Sequence, residues 1–405
     1  MAEFRLSDLA APDAGKSRLE YIDCVRGYAI LLVITTHVTD AVPELPYPVH
    51  KITVFGWYGV QLFFLASCVT LLMSWHQELR RRGAVDVRRF FLRRFFRIAP
   101  AYYAAALLYF LLTPPASGFD ATQFLASISF MNAWHPMLMP TVIGRWTVVP
   151  GGWSIGVEFT FYFLFPIIAT WITSLPRSLY FLAGAVVGGA LVNTATARML
   201  AGTYDKAAVD NFIYFWFPNQ FVVFALGTVV FFLLQRVARP EFASLRTWIA
   251  DKPTLLVVAI VISTIGLAHF QLPQWISLAP PFLTTFICAS VLFAAFILIL
   301  SVAHRTIFVN RVVQWIGKIS FSAYLLHFAV IYLLTQKFSH ILMLKETGYA
   351  AILAFVVCWI VTVVVTYLAS YLSFQIIESP MINLGRSLAN RFSKGHVTVS
   401  LASPD

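Results

Sequence analysis

The feature that most constrains this chain is a succession of apolar stretches long enough to cross a lipid bilayer. A spanning helix takes about 20 mostly apolar residues. Ten such segments are read, at about 27–42, 56–75, 96–113, 153–174, 178–196, 211–234, 254–271, 280–303, 314–335 and 349–374. One more apolar piece, 121–133, is too short to span easily and is read as a re-entrant or lateral loop helix. Composition agrees: only 12% of residues are charged and 59% are hydrophobic, whereas soluble domains carry about 25% charged residues. One or two soluble domains are therefore excluded, and so is disorder, which needs low hydrophobicity. The expected fold is an all-α integral membrane bundle of about ten transmembrane helices.

The basic residues set the orientation, because cytoplasmic loops carry an excess of Lys and Arg. With the N-terminus placed in the cytoplasm, 22 of the 29 Lys and Arg fall on inner segments and six on outer ones. Lys318 falls inside a span. Both termini are expected to be cytoplasmic, in a multi-pass membrane protein. The net charge of +11 is then mostly topological and calls for no nucleic-acid partner. The first 20 residues lack an apolar core, so no cleavable signal peptide is expected. Cys24, Cys68, Cys288 and Cys358 lie far apart with no CxxC or Cys/His spacing, which argues against zinc or another metal. They read as small buried hydrophobes.

Ionisable groups within spans cost roughly 2.5–3.5 kcal/mol each on insertion scales, so each needs a reason. Those that stand out are Arg26, His37, Asp40, Glu158, Lys318 and His327. His37 and Asp40 are three apart and share a helix face. Glu158 enters its span from outside to a depth of about 8 Å, similar to that of His37. A His beside a carboxylate is equipment for general-base chemistry; alternatively the two only satisfy each other in the bundle. Arg93, Arg94 and Arg97 lie at the cytoplasmic mouth of the third span. They read either as a positive-inside anchor or as a fork for phosphates. Ser320, Tyr324 and His327 recur at i, i+4 and i+7, a polar stripe that lines a cavity or joins helices. Glu378, at the inner end of the last span, reads as a capping or snorkelling residue.

Several motifs together resemble membrane-bound acyltransferase family 3. RLEYIDCVRGYAILLVITTHV is similar to that family's opening, with Arg26 followed by His37. FFLASCVTLL resembles the second-helix motif through Ser67, with Cys68 where Gly is usual. RRFFRIAPAYY supplies Arg94 and Arg97. GGWSIGVEFTFYFLFP carries Trp153, Ser154, Glu158, Tyr162 and Pro166. IGKISFSAYLLH and IIESP complete the series, with Phe321 where Tyr is common. The resemblance runs from about 18 to 381 and implies one acyltransferase domain over 18–381, between cytoplasmic tails 1–17 and 382–405.

The resemblance implies an enzyme that takes an acyl group, by family habit acetyl, from acyl-CoA as co-substrate. The group passes to a hydroxyl of a carbohydrate or glycolipid, such as a lipopolysaccharide or exopolysaccharide unit, beside membrane lipid. A small natural product such as a macrolide is the alternative acceptor. No fused extracytoplasmic domain is expected. Within that frame His37 is the base or transient acyl carrier, oriented by Glu158 or Asp40. Arg94 and Arg97, with Arg93, hold CoA phosphates, and Arg26 neutralises phosphate or pairs with a carboxylate. Ser67, Trp153, Ser154, Tyr324 and His327 line the substrate passage and donate to the acyl carbonyl. The rival class, a transporter, predicts broken helices and inverted repeats. Neither is evident in the sequence, where Pro100 and Pro166 fall near span ends. A scaffold or sensor gives no reason for these buried charges.

Overall fold

The computed structural model describes residues 14–116, 118–270, 284–303, 306–392 and 398–399. Most of the expected tails therefore lies outside the described residues, as do Arg305 and the adjoining ends of the spans expected at 254–271 and 280–303. The helices in chain order are α1 (Ala14–Ala41), α2 (Tyr47–Val54), α3 (Gly59–Arg82), α4 (Val87–Leu112), α5 (Ala121–Ile128) and α6 (Pro140–Ile143). They continue with α7 (Gly152–Trp171), α8 (Leu175–Leu200), α9 (Lys206–Phe215), α10 (Phe217–Val237), α11 (Ala243–Asp251) and α12 (Pro253–Phe270). The last are α13 (Thr285–Val302), α14 (Arg311–Lys318), α15 (Ser320–Phe338), α16 (Gly348–Ser373) and α17 (Ser379–Phe392). The named strands among the described residues are Val85–Asp86 and Thr398–Val399, which pair antiparallel.

Among the described residues, eight helical runs are long and apolar enough to cross a membrane. The number reaches ten when two bent pairs each count as one span: Pro240–Asp251 with Pro253–His269, bent by 74°, and Arg311–Lys318 with Ser320–Phe338, bent by 79°. These match the ten expected segments, with two corrections. The ninth span is broken at Ile319, and Lys318 sits exposed at the break with its ammonium 5.0 Å from the Trp315 ring centre. It carries no buried charge. Pro100 and Pro166 lie inside α4 and α7 rather than at span ends. The 121–133 piece forms the short helix α5 followed by turns, and α5 is not among the spanning helices.

α1 is the hub of the bundle, packing on α3, α13, α14, α15 and α16. In lipid, helices associate through close packing and interhelical hydrogen bonds, and both are present. A Cβ on Gly317 would sit 1.7 Å from the Asp23 carbonyl oxygen, and one on Gly27 would sit 2.4 Å from that of Val313. The two glycines thus let α14 lie backbone to backbone against α1. That contact fixes the bend and brings the start of α15 alongside α1. On α3, the buried Gln61 amide donates to Gln220 of α10 at 3.1 Å. Cys68 occupies space left by Gly227 of α10, where a Cβ would meet the Cys68 Cβ at 2.6 Å, and its thiol donates to the Phe224 carbonyl. The missing side chain at Gly227 thus gives Cys68 its room between α3 and α10. The most apolar window of α7 is 78% buried and that of α8 only 11%, so α7 belongs to the interior and α8 to the lipid face.

Candidate active site

Two cavities lie against the α1, α3, α7 and α15 walls. The first is lined by Arg26, Ser67, Arg94, Arg97, Ser154, Glu158, Tyr162, Ser320 and Tyr324, among others. Arg94 and Arg97 are three apart and share one face of α4. Asp86 starts that helix as its cap, accepting from the Arg89 amide at 3.1 Å. Arg26 comes from α1 and donates to the Thr70 hydroxyl at 3.1 Å; that hydroxyl is held in turn by the Ala66 carbonyl. The Arg94 guanidinium lies 5.8 Å from the Phe90 ring centre and 6.0 Å from that of Tyr162, and its Nε has no partner. Among the described residues no carboxylate lies within 4.0 Å of Arg26, Arg94 or Arg97.

The one carboxylate on this wall is Glu158. Its Oε1 accepts from Ser67 at 2.5 Å and from Tyr162 at 2.6 Å. Three guanidiniums thus surround a cleft whose lining carries a single acid already held by two hydroxyls. Charges taken out of water need partners, and an unpaired one costs several kcal/mol. The cleft is cationic by composition, and guanidiniums suit phosphate oxygens through bidentate hydrogen bonds.

The second cavity, about 1000 Å³, is lined by His37, Thr36, Trp57, Trp153, Phe215, Tyr324 and Phe328, among others. The His37 Nδ1 lies 3.3 Å from an Asp40 oxygen. A proton on Nδ1 would be donated to that carboxylate, and this is the tautomer that leaves Nε2 open to act as a base. The His37 ring is packed by Phe328 at 4.3 Å, His327 at 5.4 Å and Trp57 at 6.3 Å. Val60 and Tyr324 belong to the walls of both cavities. The Tyr324 hydroxyl donates to the Gly151 carbonyl at 3.0 Å and lies 2.8 Å from the Ser154 hydroxyl. Gly151 has φ +74°, and a Cβ there would meet the Tyr324 oxygen at 2.8 Å. A glycine is required at this position on both counts.

A family model for the acyltransferase domain matches residues 19–371. The chain belongs to acyltransferase family 3. Acyltransferase MdmB of Streptomyces mycarofaciens is 26% identical over 82% of this chain and 83% of its own length. The putative O-acetyltransferase SACOL0978 of Staphylococcus aureus is 24% identical over 76% of this chain and 50% of its own. Peptidoglycan O-acetyltransferase OatA of Listeria monocytogenes is 20% identical over 89% of this chain and 55% of its own. The chain thus spans most of MdmB and about half of the two O-acetyltransferases. No solved structure matches it. The protein is a multi-pass integral membrane acyl-transfer enzyme.

In this acyltransferase the expected site residues divide between the two cavities. Arg26, Arg94, Arg97, Ser67, Ser154, Glu158 and Tyr324 line the arginine cleft, while His37 and Trp153, again with Tyr324, line the histidine chamber. Four expectations need revision, one of them His327, which lines neither cavity. The pairing of His37 with Glu158 is not present: Glu158 faces Ser67 and Tyr162, and Asp40 is the acid within reach of His37. Arg93 leaves the cleft for Glu78, at 3.1 Å, where Arg89 joins it at 3.8 Å. Glu378 does not snorkel; it is 1% exposed. His327 is fully buried behind the His37 ring, its Nδ1 donating to the Tyr324 carbonyl at 2.7 Å. Trp57 and Phe328 escaped the sequence reading because an aromatic residue in an apolar run carries no distinguishing signal. Among the described residues no group of three or more His, Cys, Asp and Glu is placed to hold a metal ion.

Proposed function

We propose that this acyltransferase moves an acetyl group from acetyl-CoA, entering from the cytoplasmic side, to a hydroxyl of a carbohydrate or glycolipid on the outer side of the bacterial inner membrane. The observation that carries the reading is the pair of adjoining cavities. One is walled by three arginines that have no ion-pair partner among the described residues, the other by a histidine with its own carboxylate, and Tyr324 stands between them. Phosphates of the donor sit with Arg26, Arg94 and Arg97, and the pantetheine arm carries the thioester toward Tyr324. The excess of Lys and Arg on the inner segments places the arginine cleft on the cytoplasmic side. The Trp57, Trp153, Phe215 and Phe328 rings suit the apolar faces of a sugar, and the O-acetyltransferase relatives, one named for peptidoglycan, agree with a carbohydrate acceptor.

The chemistry follows from the groups present. The His37 Nε2 takes the proton of the acceptor hydroxyl as its oxygen bonds to the thioester carbonyl carbon. Asp40 stabilises the imidazolium that forms. The tetrahedral oxyanion is met by hydroxyl donors at the junction, for which Ser154 and Tyr324 are placed. Collapse breaks the C–S bond, the imidazolium returns its proton to the sulfur, and CoA leaves as the thiol. No acyl-enzyme is needed.

The test is the purified full chain in lipid nanodiscs with labelled acetyl-CoA and a panel of acceptors, including peptidoglycan and lipopolysaccharide fragments and a hydroxylated macrolide. Label is expected on a carbohydrate, with loss of about 10²–10⁴-fold in rate for His37→Ala, the usual worth of a general base. Transfer undiminished in His37→Ala sinks the mechanism. Label on the macrolide alone reassigns the acceptor.

A further inference from the structure

Tyr109, near the outer end of α4, is a buried polar residue that the mechanism above does not use. Its hydroxyl donates to the Leu325 carbonyl at 2.7 Å and accepts from the Ala329 amide at 3.0 Å. These are the i and i+4 groups that an α-helix bonds to each other, so a side chain of α4 takes part in one rung of the α15 ladder. That rung lies where α15 meets the histidine chamber. The Ala329 amide belongs to the peptide bond that leaves Phe328, and the Phe328 and His37 ring centres are 4.3 Å apart. His327, on the same turn, lies 4.1 Å from Phe328 and 5.4 Å from His37. Its Nδ1 takes the Tyr324 carbonyl, the adjacent acceptor of the ladder. The ion pair of His37 with Asp40 is open to water, and such a pair holds a side chain only weakly. The orientation of the imidazole therefore falls to the rings packed on it.

We propose that Tyr109 is a positioning residue: by gripping the Leu325–Ala329 turn of α15 it fixes the Phe328 and His327 rings, and through them the His37 imidazole. A base works only when its nitrogen faces the proton it takes, and a misplacement of about 1 Å can cost about 10²-fold in rate. A side chain that enters the hydrogen-bond ladder also shapes the local course of a helix, so α15 follows α4 at this point. α4 then serves both cavities. Arg94 and Arg97 line the cleft, and Tyr109, about 18 Å farther along at 1.5 Å per residue, steadies the base. This inference rests on the reading of His37 as that base.

The experiment is a double-mutant cycle on the full chain in nanodiscs. Transfer from labelled acetyl-CoA is followed with the acceptor of the panel above that takes label, and melting temperatures are recorded in parallel. Tyr109→Phe keeps the ring and removes only the hydroxyl. With His37 present it is expected to lower kcat at least about tenfold, with the KM for acetyl-CoA within about twofold of wild type because the arginine cleft is untouched. In the His37→Ala background it is expected to change the residual rate by less than about twofold, since a residue that acts through His37 has nothing left to act on. A merely structural role gives the same loss in both backgrounds. That result, or a folded Tyr109→Phe with wild-type kcat, overturns the proposal while the base reading stands. Undiminished transfer in His37→Ala overturns both. If Tyr109→Phe does not fold, Phe328→Leu goes through the same cycle: a loss of kcat that vanishes in the His37→Ala background supports the path from α15 to the imidazole, and an unchanged kcat or an equal loss in both backgrounds overturns it.

Discussion

The division of labour between Asp40 and Glu158 is open to a sharp test. Either acid could be assigned to His37 from the sequence, but only Asp40 reaches it, at 3.3 Å. The Asp40 side chain is 59% exposed and that of His37 22%. An ion pair this open to water is worth only about 0.2–1 kcal/mol, against about 10⁴-fold in rate for a fully buried carboxylate holding a catalytic histidine. In the buried case the loss on changing Asp to Asn comes from the wrong tautomer, whereas an exposed Asn at position 40 is free to turn its amide oxygen toward Nδ1, so that mainly the charge is lost. Asp40→Asn is therefore expected to lower kcat by about two- to fivefold, the rate equivalent of up to about 1 kcal/mol. Glu158→Gln leaves the histidine chamber untouched and removes the one acid on the arginine cleft wall. It is expected to change the KM for acetyl-CoA with kcat within about threefold of wild type, because its effect falls on binding. The assay is initial-rate release of CoA at saturating acceptor, with acetyl-CoA varied. A collapse of kcat in Glu158→Gln together with a silent Asp40→Asn would refute the reasoning, since Glu158 would then have to reach His37 in the loaded enzyme.

Three further outcomes are expected. Arg94→Ala combined with Arg97→Ala should raise the KM for acetyl-CoA at least about tenfold, since hydrogen bonds to charged groups are worth about 1.5–3 kcal/mol each; an unchanged KM by the same rate assay returns the two arginines to membrane anchoring. Tyr324→Phe removes the hydroxyl contacts to Gly151 and Ser154 together with one oxyanion donor and is expected to lower kcat by about 10²–10³-fold in the same rate assay; an unaltered kcat would show that this hydroxyl does not meet the oxyanion. Gly227→Ala places a Cβ against that of Cys68 and should destabilise by about 1–3 kcal/mol, read as a lowered melting temperature, with recovery in Cys68→Gly/Gly227→Ala; failure of that rescue would place the strain elsewhere.

How much of this was legible in the sequence depends on whether a property belongs to one helix or to two. Span length and the sidedness of Lys and Arg are local, and all ten expected segments have counterparts in the helices. Depth relative to another helix is not local: a fixed rise per residue puts His37 and Glu158 at similar levels, yet Glu158 meets Ser67 in the arginine cleft while His37 lies beside Trp57 in the other chamber. Nor is azimuth. Which way each helix is rotated about its axis is decided by its neighbours, so the acid that meets His37 was left open between Asp40 and Glu158. The i, i+3 relation of His37 and Asp40 within α1 proved the more reliable guide because it does not depend on another helix. The break at Ile319 was hidden for the same reason: no proline marks it, and its cause is the backbone contact of Gly317 with Asp23, some 290 residues apart in the chain. Glu378 shows the limit most clearly. An acid next to a Ser-Pro step at the end of an apolar run reads as surface, and only the π-helical turn Phe374–Glu378 and its packing on α4 carry it inward. Motifs named the residues, while the pairing between helices, which sets what each one does, had to come from the packing.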